Sequence, residues 1–188
     1  MMKTFPRSLK TDLTILPILI LAVTIAACKD DPQPVNEEEV ITTVIVDLVP
    51  RSGGNEIQLK WYDESGDGNP VITPSVATLI TGTLYDAQIT LLNETVSPVE
   101  DITEEIASEG DDHLFCFSVA GADVTVAYED TDESGHPIGL STTWTTGTGG
   151  DEGTLTLVLR HQPGQKDGTC PGAGETDVEV SFPIQVIE

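Results

Sequence analysis

Positive charge is what this chain has least of. Of 188 residues only eight are Lys or Arg, against 32 Asp or Glu, for a formal net charge of −24. Nucleic-acid phosphates are held by clustered Lys and Arg, and no cluster exists here, so a nucleic-acid-binding role is excluded. Cysteine is scarce as well. Three cysteines with no Cys-x-x-Cys pair exclude a disulfide-dense scaffold and a thiolate zinc finger. Gly-x-Ser-x-Gly, His-Glu-x-x-His and a phosphate loop are all missing. Carboxylates are so abundant that no glycosidase pair stands out. The chain therefore reads as a non-enzymatic protein. Long apolar runs are absent too: Leu13 to Ile25 falls short of the roughly 20 residues that span a bilayer, and Pro17 interrupts it.

What that run does have is the layout of a leader. Lys3, Arg7 and Lys10 precede it, Ile25-Ala26-Ala27 close it, and Cys28 follows. This is a lipoprotein processing site, predicting removal of residues 1–27 and a lipidated Cys28 at the mature amino terminus. Several acyl chains on one cysteine hold a protein stably to a membrane, because each buried methylene contributes about 0.8 kcal/mol. Lys29-Asp30-Asp31 is similar to the surface-export signal of Bacteroidota lipoproteins, which implies an outer-membrane, cell-surface location. The mature chain keeps five basic and 31 acidic residues, a net charge of −26. Its partners are expected to be cations or basic faces. Residues 28–39, with Pro32, Pro34 and Glu37-Glu38-Glu39, read as an acidic tether.

From Val40 to the carboxyl terminus one domain is expected, built from strands. Ile57, Leu59 and Trp61 alternate with polar residues, as do Leu155, Leu157 and Leu159, and Val178, Val180, Phe182, Ile184 and Val186. Nine strands are predicted: 40–49, 56–62, 76–80, 84–93, 113–119, 124–129, 138–146, 154–161 and 177–187. Short strands between Gly, Pro and Asp turns make an all-β antiparallel sandwich, immunoglobulin-like or jelly-roll-like, with one short helix. Pro183 suggests that the last strand is an edge. The helix is expected after Ser97-Pro98-Val99-Glu100, read as a capping box, with Val99, Ile102 and Ile106 on its apolar stripe.

If successive strands alternate in direction, the loops divide between two ends. The set around Gly53-Gly54, Thr81-Gly82, Gly121 and 147–153 is short and glycine-rich, whereas 63–75, 94–112, 130–137 and 162–176 are long and acidic. Two acidic loops begin as calcium loops do. Asp63, Ser65 and Asp67, and likewise Asp130, Asp132 and Ser134, place oxygens at the first, third and fifth positions with glycine at the sixth. Asp, Ser and Gly are also the ordinary residues of tight turns, so both readings stand. A second metal reading gathers His113, His136 and His161 with Asp112, which suits Zn2+, Cu2+ or haem iron. Its competitor is that these histidines are polar rim residues at strand ends. Cys116 and Cys170 remain once Cys28 is lipidated; they form a disulfide or stay as two thiols.

The stretch 38–44, Glu104-Glu105-Ile106 leading to Asp112-His113, Gly139 to Trp144, and His161-Gln162-Pro163-Gly164 resemble a family of small acidic Bacteroidota lipoproteins of uncharacterised function. Members are often labelled as a type 1 periplasmic binding fold, which requires alternating β-α-β units; the periodicity here is that of strands. The resemblance implies a TonB-dependent outer-membrane transporter as neighbour. Two functions are expected from these features. One is a lipid-anchored binding protein for a metal ion or metal-bearing nutrient, accessory to such a transporter. The other is a structural or adhesive surface module in which calcium at most stiffens loops.

Overall fold

The computed structural model describes residues 39–188, apart from 64, 66, 67 and 151. The expected leader, Cys28, Lys29, Asp30, Asp31, most of the tether, and Asp67 lie outside the described residues. The domain is an all-β sandwich of two sheets with one short helix. The larger sheet contains β1 (Thr43–Pro50), β2 (Ile57–Tyr62), β3 (Val71–Thr73), β5 (Leu84–Asn93), β6 (Glu100–Asp101), β8 (Val124–Tyr128) and β9 (Ser141–Thr146). Its order is β3-β2-β1-β5-β9-β8, with β6 paired to β5. The smaller sheet, ordered β4-β11-β10-β7, contains β4 (Ala77–Ile80), β7 (His113–Ala120), β10 (Glu152–His161) and β11 (Glu175–Ile187).

Period-two patterning produces the core directly. Val44, Val46 and Leu48 of β1 oppose Leu91, Ile89 and Ala87 of β5, and all six point inward. Leu155, Leu157 and Leu159 supply the facing surface of the smaller sheet with Val180, Phe182 and Ile184. Trp144, Tyr85, Phe115 and Phe182 are the largest fully buried side chains. Each large apolar side chain so buried contributes roughly 1.5–3 kcal/mol.

Three local expectations change. The helix α1 (Ile102–Ser108) starts later than the Ser97 signature suggested, because β6 holds residues 100 and 101 extended against β5. Asp101 is the cap, accepting a hydrogen bond from the Thr103 amide, and Val99 is exposed. The last strand is interior, lying between β4 and β10. Pro183 is accommodated because β4 pairs with β11 only from Ile184 onward. Residues 138–140 precede β9 and do not belong to it.

The connections are not a simple up-and-down run, since β4 pairs in parallel with β11 and β5 sits beside β1. The loops nevertheless segregate as the sequence implies. At the glycine-rich end the Thr81 amide bonds the Ile187 carbonyl and the Gly82 amide bonds the Gly147 carbonyl. At the opposite end the Asp63 amide bonds the Thr42 carbonyl and the Gln162 amide bonds the Asp112 carbonyl. That second, acidic end carries the site.

Candidate metal centre

His113 opens β7 and His161 closes β10, and the two are directly opposite in the register. Each continues an inward-facing apolar series: His113 is in phase with Phe115 and Phe117, His161 with Leu155, Leu157 and Leu159. The histidines are therefore buried, 0% and 8% exposed, and are not rim residues. Their rings stack with centroids 4.5 Å apart and planes 11° from parallel. Asp177 joins them through a register shift. Leu159 opposes Val178 while Arg160 opposes Thr176, so Asp177 is the extra residue of a β-bulge, a device that re-aims a side chain. Glu39 completes the group from the segment ahead of β1. The Asp177 and Glu39 side chains are only 3% and 5% exposed. Gly174 seals the return towards β11: its φ is +86°, and a Cβ there would lie 2.0 Å from the His161 carbonyl oxygen.

One ligand atom from each of Glu39, His113, His161 and Asp177 lies within 4.8 Å of the other three. His113 Nε2 stands 3.2 Å from Glu39 Oε1 and 3.8 Å from Asp177 Oδ2. Its Nδ1 is 3.1 Å from the carbonyl oxygen of Glu109, the C-cap of α1. A carbonyl only accepts, so Nδ1 carries a proton and Nε2 faces the carboxylates. That is the tautomer of a metal-ligating histidine whose far nitrogen is anchored by the backbone.

Charge around the ring is tightly coupled. Burial opposes a charged imidazole, but the hydrogen bonds to Glu39 and to the Glu109 carbonyl, with the charges of Glu39 and Asp177, outweigh it and raise the His113 pKa. Burial likewise works against ionised Glu39, yet its bond and attraction to His113 hold that pKa below the ordinary value. His113 Nε2 and Glu39 Oε1 form a hydrogen-bonded bridge of 3.2 Å. The bridge leaves one atom unsatisfied: Glu39 Oε2 is buried without a hydrogen-bond partner. A buried acceptor in that state costs about 1–3 kcal/mol, and more when charged.

A cation held by these groups would neutralise two carboxylates and would offer the orphaned oxygen a partner. Two imidazole nitrogens with carboxylate oxygens suit zinc, copper or iron, whereas calcium asks for six to eight oxygens. A metal lies near the plane of each imidazole it binds. Stacked, near-parallel rings do not share such a point, so ligation by both requires one ring to turn.

The other candidate residues go elsewhere. His136 does not join the group; it is 39% exposed in the side chain, with Nδ1 3.9 Å from Asp132 Oδ2. Asp112 accepts from the Gly164 amide at 3.1 Å and holds the loop after β10 in place. Asp130 accepts from the amides of Gly139 and Ser141. Asp132 accepts from the His136 amide and pairs at 2.8 Å with the Lys166 ammonium, while Ser134 is exposed on the turn. Lys166 thus occupies the place the sequence offered to calcium. Asp63 is buried and accepts from the Ser65 hydroxyl and the Gly68 amide, as a turn-closing aspartate does. Cys116 and Cys170 are joined, with Cα atoms 5.6 Å apart.

Sequence reasoning missed Glu39 and Asp177. Glu39 looks like the end of a solvated acidic run, and no local pattern marks it as buried. Asp177 falls on the outward phase of β11 until the bulge is known. The in-phase histidines were the available signal. A scan against protein-family models, a search of curated proteins and a search of solved structures each found no match to this chain.

Proposed function

We propose that this chain is a lipid-anchored, non-enzymatic binding protein that holds a borderline transition-metal ion, zinc being the type case, between Glu39, His113, His161 and Asp177. The observation that carries the reading is the buried mixed nitrogen and oxygen donor set with its unsatisfied Glu39 Oε2. Two imidazoles and two carboxylates at the end of an apolar core are costly without a cation. An overwhelmingly acidic surface raises the local cation concentration around such a site. The leader-like residues 1–27 and Cys28-Lys29-Asp30-Asp31 support attachment to the outer membrane at the cell surface. Delivery of the ion, or of a metal-bearing nutrient, to an outer-membrane transporter is the role that fits this attachment.

Deep burial of the ligands favours a second reading, a structural or adhesive surface module whose ion only rivets the lead into β1 to the smaller sheet. Exchange rate separates the two: a delivered ion leaves within seconds of adding a chelator, and a rivet persists for hours. The founding test is calorimetric titration of the metal-free protein with Zn2+, Cu2+, Ca2+ and haem. We expect one zinc or copper per chain with a Kd of about 1 μM or tighter. His113→Ala should weaken it by about 100-fold or more. Absence of binding by every one of these probes, in protein shown to be folded, removes the proposal.

A further inference from the structure

We infer that the Cys116–Cys170 disulfide sets the ion affinity of this centre, making metal retention sensitive to dithiol reduction. The inference rests on the metal-binding reading above and deepens it. Cys116 lies on β7 three residues beyond His113, and Cys170 lies in the loop joining β10 to β11. That loop leaves directly from His161 and returns just before Asp177. The bond therefore ties the connector between two ligands to the strand bearing a third. Of the four residues, His161 lies inside the covalently closed loop 116–170, His113 stands three residues before it and Asp177 seven residues after it.

The same loop reaches further. Lys166 pairs with Asp132 and donates to the Gly110 carbonyl at 2.6 Å, so the segment also meets the 130–137 turn and the end of the α1 connection. Cys170 is its covalent pin. Opening the pin leaves a connector of 13 residues, 162–174, held by non-covalent contacts alone. His161 and Asp177 then gain freedom relative to His113, and an ion must reorder them on binding.

Access favours attack on one sulfur. Cys170 is exposed, whereas Cys116 is 8% exposed beneath the loop. A thiolate of a dithiol reductant attacks Cys170 Sγ and expels Cys116 as a thiolate, which takes up a proton. The second thiol of the reductant then attacks the mixed disulfide and releases Cys170, which is protonated in turn. Two electrons and two protons thus pass to the protein as the dithiol closes to its own disulfide.

The test compares zinc and cobalt affinity of the full-length protein when oxidised, when reduced by a phosphine and freed of it under anaerobic conditions, and as the Cys116→Ala/Cys170→Ala variant. Near-ultraviolet circular dichroism checks tertiary structure in each, and the visible cobalt spectrum reports the ligand set. We expect affinity to fall at least tenfold in the reduced and variant proteins, with the cobalt bands shifted or weakened while the fold is retained. Equal affinity and identical cobalt spectra in all three would overturn the inference and leave the metal reading intact. No binding by the oxidised protein sinks both. If the variant fails to fold, the reduced wild type decides.

Discussion

Lys166 and Asp132 meet where the sequence suggested a bound cation, and both side chains are almost inaccessible, 2% and 1% exposed. Removing one partner strands the other charge. Lys166→Met should destabilise the domain by about 3 kcal/mol, read as a lower urea midpoint, because an unpaired buried carboxylate is the costly product. The pair also predicts an acid dependence. Burial works to raise the Asp132 pKa, but the Lys166 ammonium, the His136 amide and the nearby His136 ring outweigh it and leave the value lowered. A carboxylate with a depressed folded pKa gives its full stabilisation above the unfolded value of about 3.9 and loses it as pH falls through the folded value. The stability gap between wild type and Asp132→Asn should therefore be constant above about pH 4 and shrink below it. A gap that widens on acidification contradicts this assignment.

Strands were legible in the sequence where one face is buried and the other polar. β5 runs from Leu84 to Asn93 as the pattern predicts, since inward residues recur at every second position along its whole length. β3 and β6 were not legible, because strands of three and two residues carry too few periods to register. The helix was half legible: Ile102 and Ile106 mark its buried face, but tertiary pairing of residues 100 and 101 with β5 displaced the apparent cap at Ser97. Asp101→Ala should thus cost about 1 kcal/mol, while Ser97→Ala should cost almost nothing. Thermal melts of the two variants decide between the caps. The glycine that leads the chain into β11 has an equally sharp consequence. Gly174→Ala forces both a left-handed φ and a Cβ onto the His161 carbonyl, so it should disturb zinc affinity more than Gly164→Ala, where φ is also positive but the space is open.

At the scale of the molecule, the division into a glycine-rich and an acidic end was readable from loop composition, and two of the four candidate ligands, His113 and His161, were named. The remaining two depended on long-range features, the entry of Glu39 from the segment ahead of β1 and the bulge that turns Asp177 inward. No local signal encodes either. The anchor is a separate claim with its own test: Cys28→Ser should abolish labelling by radioactive fatty acid and move the protein out of the membrane fraction, and retained labelling would refute lipidation at that residue. The metal centre is tested most directly by anomalous diffraction at the zinc edge from crystals of the zinc-titrated protein. The account predicts one strong peak within bonding distance of Glu39, His113, His161 and Asp177. A crystal with no peak there, or with zinc only on surface carboxylates, contradicts it.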